Sequence, residues 1–169
     1  TEEAVHYVAE RIMRTQDIIG QRIAMENASY YAAIGKEMEE IEFVNAVLKE
    51  ADCLFHIDIN NIYVNSINHC YDAAAFLKNL PGDRIVYAHI AGHYVEAEDL
   101  RVDTHGADVI DPVWQLLDVA YEHFGVFPTL LERDFNIPPL EALLKEVETI
   151  SHYQTKYKDN DDSVRQKQN

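Results

Sequence analysis

Carboxylates, imidazoles and amides recur at five places in this chain. They are Glu26-Asn27, Asp58-Ile59-Asn60-Asn61, His89 through His93 in HIAGH, Asp103-Thr104-His105, and Glu132. Each follows an apolar run or closes a loop. Carboxylate together with imidazole is the donor set of zinc, iron or manganese, and the absence of paired thiolates excludes zinc ribbons and iron–sulfur clusters. A carboxylate that closes a buried strand is costly to ionise unless a cation or hydrogen bonds compensate it. A bound multinuclear metal centre is one explanation that serves all five positions. Taken singly, the residues have plainer roles. Glu26 alone reads as an N-cap or ion-pair partner, and an Asp-x-His pair such as Asp103 and His105 is common by chance. His56 reads as a structural histidine in mid-strand, and His6, His123 and His152 as solvated residues of helices or tail. His69 could shape a pocket or bind substrate. The ordered set is more specific than its parts.

Elements of regular spacing must position these residues. Apolar residues Val5, Val8, Ala9, Ile12 and Ile19 predict a helix over 3–19, stopped by Gly20. Strands are predicted at Arg22–Glu26, Cys53–Ile59, Arg84–Ile90 and Phe127–Glu132. Helices are predicted at Glu37–Glu50, Ala73–Leu80 behind an Asp72 cap, Asp111 to about His123, and Pro139–Ile150. The stretch near 95–105 reads as irregular, and 151–169 as a polar, frayed tail. A helix followed by repeated strand–helix units, with near-continuous apolar strands, means a parallel sheet covered by helices. Strand ends carrying Glu26, Asp58, His89 and Glu132 suit a βα barrel, whose functional groups sit at the C-terminal ends of strands. An open doubly wound sheet also places sites there. Neither GxGxxG nor GxxxxGK[ST] is present, so nucleotide-binding versions lose their main support. A complete barrel needs roughly 250 residues. The expectation is therefore that 1–150 forms the C-terminal part of a single (β/α)8 domain, or that a partner closes it. A self-sufficient small α/β sheet is the alternative.

The chain has 169 residues, 47% of them apolar and 26% charged, which is one soluble globular domain's worth. Its formal charge of −16 argues against nucleic acid and against anionic membranes. No apolar run is long enough to span a bilayer, and TEEAVHYVAERI is an amphipathic helix pattern rather than a signal peptide. Two cysteines, Cys53 and Cys70, make no disulfide framework, and a reducing cytoplasm is the simplest compartment.

The order Glu, Asp-x-x-polar, His, Asp-x-His, Glu resembles the trinuclear metal site of the endonuclease IV and xylose isomerase-like barrel superfamily. Asn61 stands where the endonuclease pattern has histidine. The local words MENASYY, HIDINNIYVNSINH, AHIAGH, VDTHG and LLERDFNIPPLEALLKE resemble more closely the domain of unknown function 692 (UPF0276) family. That family includes multinuclear non-haem iron-dependent oxidative enzymes of the methanobactin biosynthesis protein B type. The resemblance runs from about residue 2 to 150. It implies a xylose isomerase-like TIM barrel of nearly 300 residues, of which this chain would be the C-terminal portion, without two N-terminal histidines of the site.

By the same resemblance, Glu26 would bridge two irons. Asp58, His89 and Glu132 would hold one of them, and Asn61, Asp103 and His105 another. His93 would lie among the ligands or just behind them. Asn27, Asn60 and Asn68 would orient ligands or substrate by hydrogen bonds. Arg133 departs from the aromatic residue expected after the glutamate. The implied cofactor is two or three iron ions, with zinc or manganese as alternatives.

Three functions remain open at this point. The first is an oxidative enzyme that uses O2 to modify cysteine in a ribosomally made peptide, often presented by a partner protein. The second is a metal-dependent hydrolase or isomerase of phosphodiesters or sugars. The third is a non-catalytic scaffold. Open parallel sheet edges lead us to expect the chain alone to oligomerise.

Overall fold

The computed structural model describes the backbone of residues 1–166 and the side chains of residues 1–157. Helix α1 (Glu2–Ile19) opens the chain. Thr1 caps it by accepting from the Ala4 N–H, and Gly20 ends it in the left-handed conformation at φ 70°. Four parallel strands follow: β1 (Ala24–Glu26), β2 (Leu54–Asp58), β3 (Ile85–Ala91) and β6 (Thr129–Glu132). A hairpin of β4 (Tyr94–Ala97) and β5 (Leu100–Val102) occupies the stretch expected to be irregular. The remaining helices are α2 (Glu40–Glu50), α3 (Ile59–Asn68), α4 (Ala73–Lys78), α5 (Asp111–Phe124) and α6 (Leu140–Gln166).

The sheet order is β1-β2-β3-β6, the order of the chain itself. A doubly wound sheet reverses its order at a switch point; this one does not. Successive right-handed crossovers in one direction place their helices on one face. The buried residues agree. Phe55, Ile57, Ala88 and Ile90 are sealed in one core with Ile62, Leu77, Leu117 and Ala120 from the helices. A mixed α/β chain with a four-stranded parallel sheet wound this way fits a partial α/β barrel.

Two helices also depart from expectation. Helix α3 follows β2 without a loop, because Asp58 is both the last residue of the strand and the cap of the helix. Its sequence, INNIYVNSIN, is built from β-branched residues and asparagines, which are poor helix formers. Burial of Ile59, Ile62 and Val64 holds it instead. Helix α6 continues past Ile150, the expected end, to Gln166. Tyr153 stacks near Trp114, Gln154 reaches the Phe127 carbonyl, and the Tyr157 hydroxyl donates to Asp118. The segment read as a frayed tail is therefore helical and packed at least through Tyr157, with 167–169 outside the described residues. Both cysteines are free, Cys53 buried and Cys70 exposed. Among the described residues no helix is long and apolar enough to cross a membrane.

Candidate metal centre

Alternation along parallel strands brings the chemistry together. Residues two apart share a face of a strand. In β2 the buried Phe55 and Ile57 face the helices, so His56 and Asp58 share the other face. The register sets Glu26 beside His56, Asp58 beside His89, and Ala91 beside Glu132. The C-terminal ends of four adjacent strands thus converge. Glu26, Asp58, His89 and Glu132 each offer a donor atom within 4.8 Å of the others. His89 Nδ1 lies 2.9 Å from Glu26 Oε1 and 3.2 Å from Glu132 Oε2.

Asp58 is fully buried. Its Oδ1 accepts from the Asn61 N–H at 2.7 Å, while its Oδ2 has no partner. Burial pushes this carboxyl up to about 7; the Asn61 N–H works against that, and the nearby Asp103 and Glu26 add to it. Asn27 clamps the same residue from β1's loop. Its amide donates to the Asp58 carbonyl at 2.9 Å and accepts from the Asp58 N–H at 2.8 Å. Asn61 donates to the Asn27 carbonyl and leaves its own buried Oδ1 unpartnered.

A second group gathers around Asp103 and His105. Asp103 accepts from Asn60 Nδ2 at 2.8 Å and from Ser29 Oγ at 2.9 Å, and its N–H donates to the Tyr31 hydroxyl oxygen. His105 Nε2 sits 2.7 Å from Asp103 Oδ1, outside hydrogen-bonding alignment. Burial works against ionising Asp103, but His105, Ser29 and Asn60 together hold it below the usual carboxylate range. In turn, Asp103 drives the His105 imidazole up to about 9. On its other side His105 Nδ1 lies 3.3 Å from Glu132 and 3.2 Å from Asp134, and these three residues form a further group able to hold an ion. His105 adopts φ 48°, a backbone region rare outside glycine and common at functional turns.

Gly92 lets these parts meet. A Cβ there would collide with the backbone carbonyls of Ala107 and Asp108, so only glycine allows the HIAGH segment to pack directly on the backbone just after DTHG. Next to it, His93 is buried and bonds through Nδ1 to Asn60 Oδ1 at 2.8 Å. It stands behind Asn60, outside the three groups that could hold an ion. Burial, with Arg101 nearby, lowers its imidazole to about 4.

Other expected residues lie elsewhere. Asn68 pairs with the Arg101 backbone rather than with the carboxylates and imidazoles. His69 stacks on Tyr30 at 3.9 Å and bonds to its carbonyl, helping to line a cavity of about 300 Å³ with Glu40 and Tyr71. His56, read as a satisfied structural histidine, is not one. Its ring stands 4.0 Å from that of His89, its Nε2 is buried without a partner, and it groups with Glu26 and His89. Its place two residues before Asp58 in a strand was the available signal. Asp134, two residues after Glu132, was also not foreseen.

The residues fit a metal. Buried Asp58 Oδ2, His56 Nε2 and Asn61 Oδ1 lack hydrogen-bond partners, and such groups are normally satisfied. The donors are carboxylates, imidazoles and amides, with no thiolate among them.

Residues 1–155 match the family of the RiPP precursor modification enzyme MbnB/TglH/ChrH. The chain belongs to that family. It is 62% identical over 164 residues to a UPF0276 protein of Nitrosospira multiformis, covering 96% of this chain and 58% of that protein. A UPF0276 protein of Shewanella loihica is 63% identical over 156 residues, covering 92% and 56%. One from Neisseria meningitidis serogroup C is 55% identical over 159 residues, covering 92% and 57%. The chain spans just over half the length of these curated relatives. Within the part it spans, the clustered carboxylates and imidazoles are of a kind that could hold a metal ion.

Proposed function

We propose that this chain is the C-terminal part of a (β/α)8 barrel that oxidises cysteine in a ribosomally made peptide, using multinuclear non-haem iron and O2. The observation that carries the reading is the convergence of Glu26, Asp58, His89 and Glu132 at four adjacent strand ends, in a member of a peptide-modifying family. Residues 1–150 would be the barrel portion proper, with the remainder of α6 packed on its outside. A cytoplasmic setting and a protein that presents the peptide belong to the same proposal.

Glu26 would bridge two ions. Asp58, His89 and Glu132 would complete one position, and Asn61, Asp103 and His105 a second, with His56 and Asp134 as further donors at its margins. Iron in such a site would supply binding positions for a thiolate and dioxygen and would relay electrons from the substrate to dioxygen. The chain's own residues do the rest. Asp58, whose carboxyl burial pushes up to about 7, is the carboxylate whose charged form a bound cation would favour. The Asn61 N–H at the α3 N-terminus orients that carboxylate, while Asn27 clamps the backbone that carries it. Ser29, Asn60 and Tyr31 hold Asp103 against His105. His93, neutral and buried, fixes the amide of Asn60.

The test is oxygen uptake by the anaerobically iron-loaded protein with a cysteine-containing precursor peptide, read together with the peptide's mass. Iron-dependent uptake with a mass change at cysteine supports the reading. Turnover with zinc or manganese and no oxygen uptake would instead favour the hydrolase or isomerase.

A further inference from the structure

The hairpin beside the site has one closed edge and one open edge. Among the described residues β4 pairs only with β5. Along the far side of β5 the amide of Asn68 takes the place of a neighbouring strand. Its Nδ2 donates to the Arg101 carbonyl at 2.9 Å, and its Oδ1 accepts from the Arg101 N–H at 2.7 Å. β4 has no such cover. All four of its residues are exposed, Tyr94 by 55% and Val95 by 53%. A bare strand edge is a template for another extended chain, and proteins usually blunt or cover such edges. The edges of β1 and β6 differ in kind, because further parallel strands of a barrel would close them. An antiparallel hairpin stands outside that closure.

We propose that the free edge of β4 is the docking strand for an extended, basic segment of the peptide substrate. This rests on the peptide-modifying reading above and specifies how the peptide is held.

Position is the first support. Tyr94 directly follows His93, and Val102 directly precedes Asp103. A chain paired along β4 therefore has one end beside the candidate metal centre. Antiparallel pairing would run the peptide from the hairpin tip toward Tyr94. Residues upstream of the reacting cysteine would then lie on β4, and the cysteine would arrive at Asp103 and His105. The strand spans about 13 Å, with its register against β5 shifting between Val95 and Ala97, so the template is short. Backbone hydrogen bonds supply affinity in this mode, and side chains supply selectivity.

Charge is the second support. Glu98 and Asp99 form the tip and Glu96 lies beside them in β4, all three exposed. Arg101, the cation within the hairpin, is turned onto the carbonyls of Ala97, Glu98 and Leu100. The tip thus presents negative charge to its surroundings, on a chain whose net charge is −16. A segment rich in Lys or Arg is attracted and an acidic one repelled. Tyr94 and Val95 project to opposite sides of the strand, so alternate apolar residues of the segment have partners as well.

The probe is a fluorescein-labelled peptide of alternating lysine and valine ending in cysteine. It is titrated by anisotropy against the protein, with and without Fe(II). Two further probes carry backbone N-methyl groups on alternate residues, one in each register, and a fourth replaces lysine with glutamate. The lysine peptide should bind. N-methylation in one register should weaken it about tenfold or more, a loss of roughly 1.4 kcal/mol, and in the other register should change little. The glutamate peptide should fail to bind. The combined variant E96K/E98K/D99K should reverse the preference for charge while leaving iron content unchanged. Equal binding of all N-methylated probes, undiminished binding to the charge-reversed tip, or no binding of any probe each overturns the docking strand. None of these results touches the metal-centre reading, which iron content of the same preparations tests separately.

Discussion

Asp58 and Asn61 share one short hydrogen bond that divides the Asp58 carboxylate between two tasks. Oδ1 accepts from the Asn61 N–H at 2.7 Å and caps α3, while Oδ2, buried and unpartnered, faces no donor. The end of β2, the start of α3 and the candidate metal centre therefore meet in a single side chain.

This division separates two substitutions. Asparagine is as good a cap as aspartate and carries no charge to bury. Asp58→Asn should keep or raise the melting temperature of metal-free protein while lowering its iron content. Asp58→Ala loses the cap as well, and should destabilise by about 1 kcal/mol relative to Asp58→Asn. Thermal unfolding and elemental analysis of both variants check the two effects.

His93 gives a dependence on pH. Its imidazole, lowered to about 4 by burial with Arg101 nearby, must stay neutral in the folded protein. The groups facing it are Asn60, Tyr63, Arg101 and Asp103. The unfolded chain takes up the proton near 6.5 and the folded chain only near 4. The stability contributed by the neutral ring is thus present above 6.5 and lost as pH falls toward 4. The loss should reach about 3 kcal/mol. Denaturant unfolding of wild type and His93→Asn across that range measures it as a difference in slope, with the variant the flatter.

Gly92→Ala should push the Ala107–Asp108 backbone, and with it the adjoining DTHG turn, away from the HIAGH segment, because the carbonyls of Ala107 and Asp108 occupy the space of the new Cβ. A cost of about 2 kcal/mol is expected for such overpacking. Iron bound through Asp103 and His105 should fall more than iron bound through Glu26, Asp58, His89 and Glu132. Spectroscopic titration with Fe(II) would resolve the two positions.

The chain on its own should associate. The outer edges of β1 and β6 are unpaired among the described residues, and Leu130, Ile137, Leu140, Leu144 and Val147 line an exposed groove beside β6. Light scattering should report a mass above one chain. A stable monomer would count against the partial-barrel account.

Much of this was legible in the residues. Apolar runs that end in Glu26, Asp58, His89 and Glu132 mark strand termini, and parallel strands carry their termini to one place. The composition of α3 concealed it, because its helix depends on burial rather than propensity. His56 was hidden by its position within a strand, although alternation puts it on the face of Asp58. The polar surface of α6 concealed the packing of Tyr153 and Tyr157. The pairing of Asn27 with the Asp58 backbone, and of Asn68 with that of Arg101, joins residues far apart in the chain, and spacing alone does not encode it.

Elemental analysis of anaerobically purified protein, beside Glu26→Ala and His105→Ala, tests the metal centre most directly. The account predicts bound iron in the wild type and less in each variant, with both variants still folded by circular dichroism. Wild-type stoichiometry in both variants, or a folded wild type that holds no metal, would contradict it.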